Sequence, residues 1–542
     1  MKTAKKVAYV KRQGQTRDHT CHWPGCGKQV PPAVWGCKEH WQKLPSNIRN
    51  NIWSAFNPGQ EVNLSPSRSY MVAAREAQDW IAAQPKPRKV LRDYQMAAMV
   101  KFEKKDSAYW AMQMRLGKTL TVIRFLDSRG YKRNIIVAPK TVLISWEIEL
   151  RDEGLLFLNI SDMPNKKRAT ILFQKDWAYH YFLINYEAFA NSAVVQAIAN
   201  NDFDSITCDE ATCIANHRNK ATLGLIYLSD TVKFRACLSG TPTPEEWWQV
   251  WSQMAFLNRG SWMGYDNFYR WQNEYYKKDP LGYGWFLTPQ SAKAIKKVFH
   301  EEAFCLTRAQ AGIGEEKIYQ IRRGKLEGEQ KRVYNHIRDF WELPNDLEKH
   351  AVYDPEAGST VFRPVIETWA RRVLGGTLPD GEPINCWKYS ELVNIAKNEL
   401  PDEKLVVWFA FNDEIKRARL ELSAVGIKAE VIHGGTTIPD RRSIISRFRD
   451  GKINHVLVQV MCGRFGLDFS ASSTTIYFSN HYSNLARIQS EDRVVKVGKK
   501  DPLLYIDFTT EDTLEVELYD RLRNKKIDST GFLKPPKNLA KR

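Results

Sequence analysis

Short apolar runs rich in β-branched residues recur along most of the chain and alternate with segments of helical periodicity. The runs contain few polar residues, which is typical of strands buried on both faces of a parallel sheet. One set comprises residues 134–138, 181–184, 205–208 and 235–238, and a second comprises 404–409, 429–432, 455–458, 475–478 and 503–507. Strands that alternate with helices predict an α/β fold with two doubly wound parallel-sheet lobes.

The pattern also divides the chain into domains. A Pro-rich and basic stretch at 84–88 is typical of a linker, and the segment between the two sets of strands is mostly helical. The predicted division is a zinc-binding module at 1–60, a linker at 61–88, lobe 1 at 89–320 with a helical insertion at about 246–300, a helical bridge at 321–385, lobe 2 at 386–525 and a basic tail at 526–542.

Composition narrows the class of protein. Hydrophobic residues make up 43% and charged residues 26% of the 542 residues, which excludes a mainly disordered chain. No apolar run approaches the roughly 18 residues that span a bilayer. Residues 1–12 lack the apolar run of a secretory signal. Nine scattered cysteines favour a reducing compartment without a disulfide framework, so we expect a cytoplasmic protein.

Positive charge is concentrated at the two ends of the chain. The net charge is +18, of which residues 1–90 carry +10 and residues 521–542 carry +7, so that the body is nearly neutral. Lysine and arginine gain affinity for nucleic acid by releasing phosphate counterions, so a polyanionic partner is expected. The alternative is that basic ends only keep the protein in solution.

The N-terminal segment contains four potential zinc ligands in two short chelating loops, which are Cys21, Cys26, Cys37 and His40. Thiolates and imidazoles are the donors that structural zinc takes, and in a module of about 60 residues the metal is expected to drive folding. The alternatives are a disulfide or chance clustering. His19 or His22 could also replace one of the four ligands.

A Gly-Lys-Thr sequence follows a predicted strand at 108–112 and precedes a helix. In a phosphate-binding loop Gly117 and the adjacent Leu116 would bring backbone amides to the phosphates, Lys118 would reach the β- and γ-phosphates, and Thr119 would bind Mg²⁺. The first glycine of the full pattern is absent, because Met112 stands there. The short pattern alone also occurs by chance.

An acidic pair at the end of another buried strand makes the nucleotide interpretation stronger. Asp209 could hold Mg²⁺, and Glu210 could polarise an attacking water. A lone pair of this kind is often just a solvated strand end. A further loop, residues 239–242, follows the next buried strand about 30 residues later, at the same edge of the predicted sheet.

Taken in order, these motifs resemble those of superfamily 2 helicases, and among them the Swi/Snf-type DNA translocases. The matching segments are 91–95, 114–119, 137–146, 185–187, 208–212, 238–242, 433–448, 459–469 and 489–493. The resemblance covers residues from about 90 to 520 and implies two RecA-like lobes, with ATP and Mg²⁺ in the cleft and DNA across both lobes.

The resemblance also implies roles for individual residues. Gln95 would recognise adenine, and Arg493 would be an arginine finger in the sixth motif, together with Lys496 and Gln489. The implied DNA contacts are Lys140, Trp146, Tyr186, His433 and Arg441.

Several positions depart from the family pattern. Acidic residues usually precede the Gly-Lys-Thr loop, where this chain has Gln113 and Arg115. The usual histidine after the acidic pair is Thr212 here. The usual second arginine of the sixth motif is Lys496, which keeps the charge but loses the planar fork. A finger contributes about 10³–10⁵ in rate, so turnover could be modest, with Arg493 as the better candidate finger.

Aromatic residues are concentrated at 247–286, where there are 14 in 40 residues against 12% overall. They could stack on unpaired bases or form a strand-separating wedge. Helical spacing, as between Trp247 and Trp251, favours the core of a helical insertion instead.

These observations predict an ATP-dependent DNA translocase or helicase that acts on duplex, forked or branched DNA. The N-terminal segment resembles small zinc modules of bacteriophage proteins, so we expect a phage-encoded protein that acts in replication or recombination in the host cytoplasm. The expected cofactors are ATP, Mg²⁺ and Zn²⁺, and the expected partners are DNA and a replication or recombination protein. One alternative is an RNA helicase. Another is a DNA-binding or loading factor with weak ATPase activity that recruits a partner through its zinc module.

Overall fold

The structure is a computed structural model. It describes residues 19–23, 26, 28–30, 34–57, 66–83, 88–174, 179–279, 284–344, 347, 363–378, 381–462, 467–495 and 502–533. The chain forms two compact units, Met1–Lys89 with Asp152–Gly154, and Val90–Arg151 with Leu155–Arg542.

The N-terminal unit is a small two-stranded sheet followed by helices. Its elements are β1 (His19–Thr20), β2 (Gln29–Val30), α1 (Lys38–Lys43), α2 (Ser46–Ala55) and α3 (Arg68–Ala83). The core that α2 and α3 share comprises Trp35, Leu44, Ile48, Ile52, Ala73, Ala77 and Ile81. Because α3 supplies three of these seven side chains, the predicted division into a module at 1–60 and a linker at 61–88 is corrected, and the helix belongs to the unit.

Lobe 1 is built on a seven-stranded sheet in which every neighbouring pair of strands is parallel. The strand order is β11–β3–β8–β7–β4–β6–β5. The strands are β3 (Ser107–Met112), β4 (Asn134–Val137), β5 (Phe157–Asn159), β6 (Tyr181–Ile184), β7 (Ser205–Asp209), β8 (Phe234–Leu238) and β11 (Ala303–Leu306). Two apolar clusters include residues of these strands, as expected for strands buried on both faces.

Helices of lobe 1 connect these strands, and several begin at a capping side chain, such as Asn219 or Thr288. They are α4 (Asp93–Val100), α5 (Lys118–Ser128), α6 (Lys140–Asp152), α7 (Asn165–Phe173), α8 (Ser192–Ala199), α9 (Lys220–Leu228), α10 (Val250–Leu257), α11 (Phe268–Tyr275) and α12 (Pro289–Glu302). A hairpin of β9 (Tyr276–Lys278) and β10 (Trp285–Leu287) interrupts the insertion that was predicted to be helical.

Lobe 2 is a six-stranded sheet, again with parallel neighbours, in the order β12–β17–β16–β13–β15–β14. The strands are β12 (Lys317–Gly324), β13 (Leu405–Phe409), β14 (Ala429–Ile432), β15 (His455–Gln459), β16 (Thr474–Tyr477) and β17 (Leu503–Thr510). The helices are α13 (Gly328–Phe340), α14 (Arg363–Leu374), α15 (Trp387–Asn394), α16 (Asn412–Ala424), α17 (Ile438–Arg449), α18 (Asn484–Glu491) and α19 (Leu514–Leu533). The two parallel-sheet lobes confirm the predicted fold class.

Two predicted boundaries of lobe 2 are corrected. The boundary at residue 320 falls inside β12, which pairs along its whole length with β17 and therefore belongs to lobe 2. The boundary before residue 526 falls inside α19. Near the end of that helix, Phe532 packs in the core of lobe 1 against Trp247 and Phe299, so this part of the predicted basic tail is structural. None of the helices described is long and apolar enough to cross a membrane.

Part of the aromatic segment packs in the core of lobe 1, whereas Trp285 and Phe286 of β10 are exposed. Trp251, Trp262, Phe268 and Trp271 are buried, and all four belong to the main apolar cluster of lobe 1. Of the alternatives drawn from the sequence, the structure supports a packed insertion for these side chains, because a buried ring cannot stack on a base. Tyr269 remains 44% exposed.

Truncation of a buried strand residue should destabilise lobe 1. Ile136 lies in β4 and is completely buried, so we expect Ile136→Ala to lower the free energy of unfolding by about 2–5 kcal/mol. Urea denaturation measures this. The matched control is Ile148→Ala on α6, where the side chain is 50% exposed, and the expected change there is within about 0.5 kcal/mol. Equal effects at the two positions would contradict the placement of β4.

Candidate active site

The candidate phosphate-binding loop joins β3 to α5. Gly117 has a φ of +75°, a left-handed conformation that glycine adopts without a Cβ clash. A Cβ there would also lie 2.5 Å from the side-chain nitrogen of Gln95. The helix that begins at Lys118 directs its first amides toward the loop, as helices that bind phosphate do.

Gln95 is buried beside the candidate phosphate-binding loop and holds it in place. Its side-chain amide donates to the main-chain oxygen of Gly117 and to the hydroxyl of Thr121, both at 3.1 Å. Its oxygen accepts from the amide of Arg92 at 2.9 Å. The predicted role in recognising adenine stays a prediction, whereas the structure gives Gln95 the role of holding the phosphate loop.

Lys118 lies at the centre of the candidate site. Its Nζ donates to the main-chain oxygen of Met112 at 2.8 Å. Burial lowers the pKa of this amine, and the carboxylates of Glu210 and Asp209 oppose that shift. The lysine therefore stands between the loop and the acidic pair, where it can contact a phosphate oxygen.

Asp209 ends β7 and is held by two aromatic side chains. Its Oδ2 accepts from the indole N–H of Trp146 at 2.8 Å, and its main-chain oxygen accepts from the hydroxyl of Tyr186 at 2.7 Å. Burial raises the pKa of Asp209, and Lys118 and the Trp146 hydrogen bond oppose the shift. Trp146 and Tyr186 are themselves buried, so their predicted contact with DNA is corrected: they position the acidic pair.

Glu210 and Arg493 bring the two lobes together electrostatically. Glu210 has a φ of +53°, which costs a non-glycine residue about 1–2 kcal/mol. Arg493 comes from the segment after α18 in lobe 2 and is 8% exposed. Burial lowers the pKa of Arg493 to about 10, and the nearby carboxylate of Glu210 opposes the shift. The structure therefore places Arg493, the predicted finger, near Glu210, the glutamate that is predicted to polarise the attacking water.

The sixth motif is held by a buried ionic network. Arg487 makes two hydrogen bonds to Asp507 of β17, at 2.5 and 2.8 Å, and one to Glu491 at 2.9 Å. Gln489 is 1% exposed, and its side-chain oxygen has no hydrogen-bond partner among the described residues. Lys496 lies outside the described residues.

Gln113 and Arg115, which stand where the family pattern has acidic residues, connect the phosphate-binding loop with lobe 2. Arg115 donates to the carboxylate of Asp468 at 2.9 Å and to the main-chain oxygen of Arg493 at 3.1 Å. Gln113 accepts from the amide of Arg308, whose guanidinium pairs with Asp492 at 2.7 Å. Sequence reasoning missed these contacts, although the departures themselves marked the positions.

The remaining predicted DNA contacts lie on both lobes. Lys140 begins α6 and pairs with the exposed Asp162 at 2.8 Å. His433 is exposed at the end of β14, and Arg441 donates to its main-chain oxygen at 3.1 Å. Lys140 and His433 are exposed and can reach a ligand, and Arg441 holds the backbone of His433. Their contact with DNA stays a prediction.

The donor set of the site fits a magnesium nucleotide. Thr119 in the first turn of α5 offers a hydroxyl, and Asp209 offers a buried carboxylate, which are oxygen ligands that Mg²⁺ prefers. Each oxygen of Asp209 accepts one hydrogen bond, from Trp146 or from the amide of Glu210, and keeps a lone pair for a cation.

The N-terminal unit contains a separate candidate metal centre. The ligand atoms of Cys21, Cys26, Cys37 and His40 all lie within 4.8 Å of one another. His40 Nδ1 is 3.6 Å from the sulfur of Cys21 and 3.4 Å from that of Cys37. Zinc bonds of about 2.3 Å to sulfur and about 2.0 Å to nitrogen give ligand separations of about 3.5 Å in a tetrahedron.

Two of the alternatives to this ligand set, a disulfide and a replacement by His22, are not supported. None of the nine cysteines, all of which are in the described part of the chain, forms a disulfide. His22 is exposed and is not a member of the cluster, so it does not replace a predicted ligand. The side chain of His19 lies outside the described part of the structure.

Comparison with protein families agrees with this geometry. The SNF2-related domain matches residues 94–365, which is half of the chain, and the helicase conserved C-terminal domain matches residues 387–498. The chain belongs to the SNF2-related family. It therefore carries the helicase and ATPase domains of that family, and the matched ranges contain the residues of the candidate site described above.

Individual relatives are distant. The SNF2-related chain is 22% identical to the SWI/SNF chromatin-remodeling complex subunit snf22 of Schizosaccharomyces pombe over 81% of its own length and 28% of the relative. It is 22% identical to the human DNA repair and recombination protein RAD54B, over 80% of the chain and 52% of the relative. A probable global transactivator of Orgyia pseudotsugata multicapsid polyhedrosis virus is 20% identical, over 77% of the chain and 84% of the relative. The chain thus spans about half or less of the first two proteins.

Loss of the indole donor should change the pH dependence of ATP hydrolysis. Trp146→Phe removes a hydrogen bond that lowers the pKa of Asp209, so that pKa should rise further above its ordinary value. Because Mg²⁺ needs the ionised carboxylate, the acidic limb of the pH–rate profile should move to higher pH, while the rate well above the limb changes less.

The matched control for this prediction is Trp110→Phe. Trp110 is equally buried in lobe 1, and its indole nitrogen has no hydrogen-bond partner in the described part of the chain. The control should leave the acidic limb in place. An identical shift in both variants would show that packing, and not the bond to Asp209, determines the profile.

Proposed function

We propose that this protein is an ATP-dependent DNA translocase or helicase. The observation that carries the proposal is the convergence of Lys118, Asp209 and Glu210 of lobe 1 with Arg493 of lobe 2 at one cleft. Neither lobe has this set alone. An ATPase whose site is completed by both lobes can couple each hydrolysis event to a movement of one lobe relative to the other.

Hydrolysis of ATP requires water to attack the γ-phosphorus while the bond to the bridging oxygen breaks and ADP leaves. In our proposal Glu210 orients this water and accepts its proton, and Lys118 binds the β- and γ-phosphate oxygens. Arg493 stabilises the charge that develops on the transferred group. Mg²⁺, held by Thr119 and Asp209, would neutralise phosphate charge when it is bound.

We propose DNA as the nucleic acid along which the protein translocates. The name of the human relative refers to DNA repair and that of the yeast relative to chromatin remodelling, and our proposal extends a DNA substrate to this chain. Lys140 and His433 provide exposed polar groups on the two lobes, and both chain ends are basic. We propose duplex, forked or branched DNA in replication or recombination, with a protein of those processes as a partner. RNA is the competing track.

A zinc-stabilised N-terminal unit forms the second part of the proposal. The cluster of four ligands supports one closed structural zinc, because no ligand position remains for a substrate. The resemblance of this unit to phage zinc modules supports a phage origin, and a viral relative shows that viruses encode proteins similar to this chain. A phage protein of this kind would act in the cytoplasm of the bacterial host.

One observation favours a second candidate function. The sixth motif has lysine at position 496 instead of the usual arginine, which removes a fork that could bind two phosphate oxygens. A slow ATPase would suit a DNA-binding or loading factor that recruits a partner through its N-terminal unit. The stimulated rate of hydrolysis separates the two functions.

The ATPase assay with different nucleic acids tests the main proposal. Duplex, forked and single-stranded DNA and RNA are compared at equal nucleotide concentration, and we expect stimulation by DNA. Glu210→Gln and Lys118→Ala should each reduce the stimulated kcat by about 10²- to 10⁴-fold, because they remove the water-orienting group and the phosphate-binding cation.

The control variant for these two is Glu301→Gln, which changes an exposed glutamate of α12 that pairs loosely with Lys297. It should keep the wild-type rate. DNA binding without stimulated turnover in the wild type would favour the loading factor, and stimulation by RNA alone would replace DNA as the track. A folded Glu210→Gln variant with substantial turnover would remove that residue from its role.

Metal analysis tests the N-terminal unit. The purified protein should contain one zinc per chain, and Cys37→Ser should lose it, because three remaining ligands cannot close the tetrahedron. Cobalt exchange provides a second measurement, since thiolate-bound tetrahedral Co²⁺ absorbs visible light. Cys305→Ser, at a cysteine of β11 outside the cluster, should retain the metal. Protein prepared without chelators that contains no zinc would refute this part of the proposal.

A further inference from the structure

Arg115 makes three contacts across the cleft and is part of the phosphate loop itself. Its guanidinium donates to the carboxylate of Asp468 at 2.9 Å, to the main-chain oxygen of Arg493 at 3.1 Å and to that of Asp492 at 3.4 Å. All three acceptors belong to lobe 2. The last two are the main-chain carbonyls that flank the Cα atom of the candidate finger: that of Asp492 precedes it, and that of Arg493 follows it.

The backbone of Arg115 is in an unusual conformation. Its φ is +66°, in the left-handed region that favours glycine. A long, charged side chain at such a position is strained unless other contacts hold it. Every side-chain hydrogen bond shown for Arg115 goes to lobe 2, so the contacts that hold it are those across the cleft.

A second connection runs parallel to the first. Gln113, the other departure from the family pattern, accepts from the main-chain amide of Arg308 at 2.8 Å. The guanidinium of Arg308 pairs with Asp492 at 2.7 Å, and both of these side chains are buried. Each departure before the Gly-Lys-Thr sequence therefore leads from the phosphate loop to the pair Asp492–Arg493.

The hydrogen bonds from Arg115 fix the position of the Arg493 backbone, although the two guanidinium charges repel each other. The positive charge of Arg115 lies close enough to Arg493 to lower its pKa, which is the effect of one cation on another. The favourable part of the interaction is therefore the pair of hydrogen bonds to main-chain oxygens. Hydrogen bonds of this kind fix where the peptide lies and hence where the Arg493 side chain starts.

We propose that Arg115 is a positioning residue that holds the Asp492–Arg493 peptide against the phosphate loop, so that the finger reaches the γ-phosphate. The inference rests on the proposed ATPase function and deepens it. Because one residue of the loop contacts both the lobe 2 backbone and Asp468, a change in the loop on nucleotide binding is transmitted directly to the finger. The three side-chain hydrogen bonds shown for Arg115 all go to lobe 2 and none goes to Lys118 or Asp209, so we expect it to act on the finger and not on ground-state binding of the nucleotide.

The decisive variant is Arg115→Gly. Glycine accepts the left-handed backbone, so the thermal midpoint should not fall. A misplaced finger should reduce the DNA-stimulated kcat by about 10²-fold, with the KM for ATP nearly unchanged. The variant should also bind ADP–aluminium fluoride, a mimic of the transition state, more weakly, and bind ATPγS as the wild type does.

A matched control is available in the same lobe. Arg259 also has a left-handed backbone, with φ of +56°, and its guanidinium pairs with Asp106 and Asp230 at the surface. Arg259→Gly makes the same substitution in the same conformation, away from the cleft, and should leave kcat unchanged. Equal losses in both variants would show a general effect of removing a surface arginine and would overturn the proposal.

Further variants separate position from charge. Arg115→Lys restores the cation but not the planar set of donors, and should recover less than half of the lost rate. Asp468→Asn should cost less than Arg115→Gly, and the double variant should be no slower than Arg115→Gly alone, because both changes act on one contact.

The outcomes distinguish this inference from the proposed function. If the wild type has no DNA-stimulated ATPase, the proposed function fails. If the wild type is active and Arg115→Gly keeps its kcat, only the positioning role fails. A raised KM with an unchanged kcat would make Arg115 a nucleotide-binding residue and would overturn the proposal in that way.

Discussion

The site depends on one interaction between the lobes. Arg493 of lobe 2 is a buried cation, and it compensates the charge of the buried acidic pair Asp209–Glu210 of lobe 1. Arg493 is 8% exposed and Glu210 is equally buried, so each charge would be costly without the other. Lys118 lies near the same carboxylates and shares them with Arg493. Charge compensation in the cleft is therefore complete only when the lobes are together. A separation of the lobes would therefore leave charges on both sides without compensation.

The rest of lobe 2 keeps the finger segment rigid. Arg487 fixes α18 to β17 through Asp507, and Glu491 also accepts from Lys526 of α19 at 2.5 Å. Arg308 secures Asp492 from the other direction. A peptide held by several charge-assisted hydrogen bonds has little freedom, so small displacements of the phosphate loop should reach Arg493 without being absorbed.

The N-terminal unit achieves stability in a different way. Its apolar core is small, and its strands are two residues long, so burial alone contributes little. Ligation of zinc by three cysteines of the loops around β2 and by His40 of α1 would hold together the part that the helices do not cover. Trp23 stacks on His40 at 4.7 Å, which also fixes the orientation of that ligand.

The sequence by itself determined the two parallel-sheet lobes, and it predicted the candidate metal cluster and the candidate site residues Lys118, Asp209, Glu210 and Arg493. Local patterns were sufficient for these, because buried strands are continuous apolar runs, and phosphate and metal ligands occur at short, fixed spacings. Only the tertiary structure decided that β12 joins lobe 2 and that Trp146 faces Asp209 and not DNA. It alone also decided that Arg115 meets Asp468, a residue 353 positions further along the chain. The physical reason is the same in each case. The pairing of two strands, the burial of a side chain and an ion pair between distant segments all depend on how the chain packs. No local spacing in the sequence encodes which distant residue a side chain will contact.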